Sequence, residues 1–99
     1  MLILMGYIHL DPLDAERFAA DIEAIGDSTR REEGCLFYGV APDDASAGRF
    51  LVAERWRDQA SLDAHLQRPE TRAFLQTWAD RMTSELQFYE ASQHKPLGG

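Results

Sequence analysis

Two segments of this chain carry apolar residues on both sides of an extended backbone, and that feature constrains the fold more than any other. Residues two apart share a side of a strand. Along Leu2–Leu10 one side reads Leu2, Leu4, Gly6 and Ile8, the other Ile3, Met5, Tyr7 and His9. Along the second segment Phe50, Val52, Glu54 and Trp56 oppose Leu51, Ala53 and Arg55. A sheet with helices on one face and water on the other is more cleanly polar outward, so these strands call for cover on both faces. A chain of 99 residues, 44% of them hydrophobic, builds one core but not a second layer. A second copy of the chain is the economical cover, and the expectation is a homodimer joined sheet to sheet.

The remaining segments supply the other face. Asp11 can cap a helix whose first turn accepts Pro12, and Phe18, Ile22, Ile25 and Thr29 recur at helical spacing until Gly34 stops it. Cys35–Ala41 reads as a strand, PDDASAG as a turn-rich loop, and RFLVAERW as the returning strand of a hairpin. Asp58 caps a short helix through Leu66. Pro69 opens another, with Phe74, Leu75, Trp78 and Met82 on one face, and Glu85–Ser92 is the last strand. The order is the split βαβ pattern of a ferredoxin-like α+β domain, an antiparallel sheet with helices on one face. One domain spans residues 1–93, followed by a loose tail at 94–99.

Composition narrows the partners. The formal charge is −7 and the basic residues form no run longer than Arg30-Arg31, which disfavours nucleic acid and anionic membranes. Cys35 is the only cysteine, so no intrachain disulfide is possible and a reducing cytoplasm fits best. The N-terminus has neither a basic leader region nor an apolar run of spanning length, and reads as a strand.

The stretch EEGCLFYGV after a long helix, followed by FLVAERWRDQASLDAHL, resembles the antibiotic biosynthesis monooxygenase (ABM) domain. The shared features are a Gly-Cys-Leu-x-Tyr strand opening, a Glu-x-Trp strand end and a short helix ending Ala-His. The resemblance covers nearly the whole chain. It implies a dimeric α+β barrel, a pocket in each protomer between sheet and helices, and oxygen insertion into an aromatic or quinol substrate without metal, flavin or haem. Two departures stand out. Many members read Ser-Pro-His or Thr-Pro-His after the Ala-His helix where this chain has Arg68-Pro69-Glu70, and haem-degrading relatives place an asparagine on the first strand where this chain has Met5-Gly6-Tyr7. The second departure turns the expectation away from haem. The same fold also hosts isomerases and members without known activity, so a proton-transfer isomerase and a non-catalytic dimer binding a small ligand remain the alternatives.

Within that frame each candidate has a chemical reason. His65 can serve as a general base near neutral pH. Trp56 is expected to wall an aromatic pocket and donate its N–H to the ligand. Tyr7 and His9 share a strand side and add a phenol and a second imidazole if that side faces the pocket. Tyr38 matches the family tyrosine, and Glu54 is a candidate acid or base. Trp78 belongs to an apolar helix stripe, Arg72 to a solvated face, and Cys35 lacks a neighbour in sequence that would activate it. No metal is expected, because His9, His65 and His94 lack ligand spacing, and no cofactor motif is present.

Overall fold

The structure, a computed structural model, describes residues 1–98. The strands β1 (Leu2–Leu10), β2 (Cys35–Asp44), β3 (Arg49–Trp56) and β4 (Met82–Glu90) form one antiparallel sheet in the order β2-β3-β1-β4. Helix α1 (Ala15–Arg30) links β1 to β2 with β3 inserted between them. Helices α2 (Gln59–Gln67) and α3 (Pro69–Trp78) link β3 to β4 with β1 inserted. This is the ferredoxin-like α+β arrangement expected from the order of periodicities.

Local chemistry sets most boundaries, and several differ from the sequence reading, β4 among them in ending at Glu90 rather than Ser92. Asp11 caps a 3-10 turn at Pro12–Asp14, its Oδ1 accepting from the Leu13 amide at 3.0 Å, and α1 begins only at Ala15. Helix α1 stops at Arg30, four residues before Gly34, because a hydrogen-bonded turn follows: the Glu32 amide donates to the Thr29 carbonyl and the Cys35 amide to the Glu32 carbonyl, both at 3.1 Å. Gly34 then takes φ 86°, a conformation that suits glycine. Strand β2 continues through Pro42 to Asp44, which an edge strand tolerates because proline's missing donor faces no partner. Met82, assigned by periodicity to the helix stripe, is the first residue of β4 and pairs with Leu10. Residues 91–98 contain no helix or strand; residue 99 of the expected tail lies outside the described residues.

The inner face of the sheet carries the even-numbered residues of β1 and β3. Phe18 of α1 meets Phe50 edge-on at 4.8 Å between ring centroids and Trp78 at 5.1 Å, and these rings centre the larger core cluster. A second cluster joins Leu2, Trp56 and Leu62 where α2 closes over the ends of β1 and β3. Gly6 sits mid-sheet at φ 150°, and a Cβ there would collide with the Glu85 carbonyl oxygen. The centre of the inner face therefore has no side chain between Val52 and Leu86, its partners in register. On the outer face Met5, Leu51, Phe37 and Tyr89 are each close to half exposed.

Candidate active site

Between sheet and helices lies a cavity of about 210 Å³. Its floor is Leu4 and Ile8 of β1, Tyr38 and Val40 of β2, and Val52 and Glu54 of β3. Met82, Ser84 and Leu86 of β4 complete the floor, and its roof comes from all three helices. Three of the polar groups, Tyr38, Glu54 and His65, gather at one end. Register places Tyr38 beside Glu54 on the inner face, and His65 descends onto them from the last turn of α2. The helix is aimed by Asp58, whose Oδ1 accepts from the Ser61 amide at 2.8 Å, so that Ser61, Leu62 and His65 form its buried face.

His65 is held from two sides. Its Nδ1 lies 2.8 Å from Glu32 Oε2, in a pair whose side chains are only 9% and 5% exposed. Its ring also lies on the Trp56 indole, centroids 4.7 Å apart and planes inclined by 33°. An ionised carboxylate only accepts, so in the neutral ring Nδ1 carries the proton and Nε2 keeps its lone pair. Among the described residues Nε2 has no hydrogen-bond partner, while the imidazole lines the cavity. The Arg68 Nε stands 3.7 Å from the same Glu32 oxygen and 3.5 Å from Glu70, placing positive charge behind the pair.

Glu54 is the second titratable side chain on the cavity wall. Burial pushes its carboxyl above the usual carboxylate value; the Trp56 N–H, donated to Glu54 Oε1 at 2.9 Å, and the nearby His65 act in the opposite direction. The Tyr38 phenol is pushed up as well, first by burial and then by the Glu54 charge, so at neutral pH it is a donor. A carboxyl whose folded-state pKa is raised stabilises the fold most below the unfolded value, and that contribution falls as pH rises through the raised one. Urea unfolding of the wild type should therefore lose stability, relative to Glu54→Gln, as pH rises above the ordinary glutamate range. Parallel pH profiles for the two proteins would contradict a buried, shifted Glu54.

The expected site residues separate. His65, Glu54 and Tyr38 converge on the cavity. Trp56 does not line it: the indole is fully buried behind Glu54 and His65, donates its N–H to Glu54 and packs against the His65 ring. Tyr7 and His9 do not line it either. They share a side as expected, but it is the outer one, where His9 Nε2 lies 2.9 Å from the exposed Glu85. Trp78 is buried and donates to Asp21 at 2.9 Å. The Cys35 thiol is pushed up by burial and by the charges of Glu32 and Glu54, opposite to what a nucleophile needs. Glu32 is the functional candidate that sequence reasoning missed. Nothing in Glu32-Glu33 marks which carboxylate turns inward; Glu33 is 88% exposed, and the turn after α1 decides. Among the described residues no group of three or more His, Cys, Asp or Glu side chains converges as metal ligands, and no helix is long and apolar enough to cross a membrane.

Comparison with known proteins agrees with the fold. The family model described as antibiotic biosynthesis monooxygenase matches residues 1–77. An uncharacterized protein of Synechocystis is 29% identical over 98 residues, covering 97% of this chain and 67% of the relative. YcnE of Bacillus subtilis, provisionally named a monooxygenase, is 23% identical, covering 87% of this chain and 90% of its own. A crystal structure from Deinococcus radiodurans, provisionally assigned as an antibiotic biosynthesis monooxygenase, superposes with a TM-score of 0.84 at 27% identity and full coverage of both chains. A similarly assigned protein of Nitrosomonas europaea gives 0.80 at 20% identity, over 94% of this chain and all of that one, which speaks for the fold alone.

Proposed function

This chain belongs to the antibiotic biosynthesis monooxygenase family, and from that premise we propose that it oxidises a quinol or other hydroxyarene with dioxygen, His65 acting as the base. The observation that carries the reading is the Glu32–His65 pair at the wall of an apolar cavity, with Nε2 unpartnered. A phenolic hydroxyl seated there gives its proton to Nε2. The phenolate passes one electron to dioxygen, and the radical pair combines at a ring carbon to form a carbon–oxygen bond. Transfer of the proton from His65 to the distal oxygen and loss of the ring C–H proton break the O–O bond. One oxygen atom remains as a carbonyl and the other leaves as water, so a phenol becomes a quinone. The protein's share is deprotonation, orientation and exclusion of water.

Oxygen uptake across a panel of quinols and phenols, with chelator present and spontaneous oxidation subtracted, tests this. The expected result is one O₂ consumed per substrate, with one atom of ¹⁸O₂ recovered in the product. Stoichiometric hydrogen peroxide, or uptake no faster than background throughout the panel, would overturn it. Because Glu54 and His65 face one cavity, a proton-transfer isomerase is the second reading; conversion of substrate without oxygen uptake would favour it.

The functional unit in this account is a homodimer in the cytoplasm. Its support is the outer sheet face, where Met5, Leu51, Phe37 and Tyr89 present apolar surface that a self-complementary contact would cover. Light scattering should give twice the chain mass for the wild type and a monomer for Leu51→Glu, which puts two like charges in that contact. A wild-type monomer at micromolar concentration would rule the dimer out.

A further inference from the structure

We propose that the cavity selects an uncharged, amphipathic hydroxyarene of one or two rings that enters hydroxyl-first from the β4 side. This rests on the reading of the cavity as the site of hydroxyarene oxidation and narrows the ligand that fits it.

The polarity of the walls sets the orientation. Tyr38, Glu54 and His65 stand over β2 and β3, whereas the lining from Leu4 and Ile8 through Ile22, Phe74 and Leu86 is apolar. Ser84 on β4 is the polar group at the far end, and it is solvent-exposed. Three strand steps separate β2 from β4, about 14 Å at the usual inter-strand spacing. The ligand therefore meets hydrogen-bonding groups at one end and an apolar slot along the rest of its length. The side-chain-free position at Gly6 lies under that slot.

Exposure locates the mouth. Leu66 and Ser84 are the exposed members of the lining, and Leu75 and Leu86 are half-buried. Phe88, also on the inward side of β4, is 47% exposed, so no helix seals that edge. The opposite end is closed by the Glu32–His65–Trp56 packing.

Volume and charge set the class. An apolar cavity of about 150 Å³ holds one benzene ring. The 210 Å³ here admits a second ring or a short alkyl substituent, and a third fused ring would extend beyond that space toward the mouth. The lining contains no Lys or Arg, and its one carboxylate is Glu54. A carboxylate or phosphate on the ligand would be desolvated beside Glu54 without a fixed countercharge.

Calorimetric titration under nitrogen tests the inference, using 2-naphthol, naphthalene, 3-hydroxy-2-naphthoate and anthracen-2-ol. The expected order is 1:1 binding of 2-naphthol, with at least tenfold weaker binding of naphthalene and of the carboxylate, and weaker binding of anthracen-2-ol, whose third ring is left outside the slot. Leu86→Phe should shorten the slot, weakening 2-naphthol at least tenfold while leaving phenol within threefold. Leu75→Phe, on the roof opposite, repeats the test if the strand variant fails to fold. Carboxylated or tricyclic ligands binding as tightly as 2-naphthol would overturn the proposal. So would an equal loss of phenol and 2-naphthol in the slot variants, or no binding by any probe. Oxygen is excluded, so the outcome is independent of turnover: a protein that binds in this order yet consumes no oxygen keeps the ligand inference and loses the oxidation.

Discussion

Replacing His65 with alanine is expected to lower kcat for oxygen-dependent turnover by roughly 10²-fold or more, the scale of a positioned proton transfer. The loss should fall on kcat more than on KM, because the apolar slot that binds most of the ligand is untouched. The phenolic proton would then have to leave to solvent, so the residual rate should rise with pH toward the ionisation of the free phenol. Full activity in His65→Ala would move the base to Glu54, the carboxyl beside Tyr38 on the cavity wall, whose pKa is raised by burial. Circular dichroism must accompany the assay, since the imidazole also packs on Trp56.

The second large effect is expected from Glu32→Gln, a change of one atom in a group that lines no part of the cavity. Glutamine can present its NH₂ to Nδ1, which then becomes the acceptor and moves the ring proton to Nε2. The base is lost although the imidazole stays in place. A decrease in kcat of roughly 10²-fold or more, with KM little changed, follows by analogy with the orienting carboxylate of the serine hydrolases, where the matching amide substitution costs about 10⁴-fold. Glu32→Asp, which keeps the charge but shortens the reach, should recover part of the activity. Equal activity in wild type and Glu32→Gln would make the buried pair a purely structural contact.

How much of this was legible in the sequence depends on how local the determinants are. The strands announced themselves by alternation and the helices by spacing and by residues such as Asp58 and Pro69, so the topology could be read. Alternation also grouped Glu54 with Trp56 and Tyr7 with His9, both correctly. It does not say which side the helices cover. With both sides of β1 apolar, Tyr7 and His9 could not be assigned to the outer face from the sequence. Trp56 shares its side with Glu54, but α2 closes over the end of β3, so the indole became core while Glu54 stayed at the cavity. Glu32 was out of reach for a different reason. Its contact with His65 spans 33 residues and depends on the hydrogen-bonded turn after α1, in which Gly34 marks the turn but not which glutamate faces inward.

The claim on which the mechanism turns is that Glu32 holds His65 with a free lone pair at Nε2, aimed at the cavity. Long-range ¹H–¹⁵N correlation of the imidazole nitrogens in uniformly labelled protein reads that tautomer directly, at a pH where the ring is neutral. The account predicts a protonated Nδ1 and an unprotonated Nε2 for His65 in the wild type, reversed in Glu32→Gln. A wild-type His65 carrying its proton on Nε2 would contradict it.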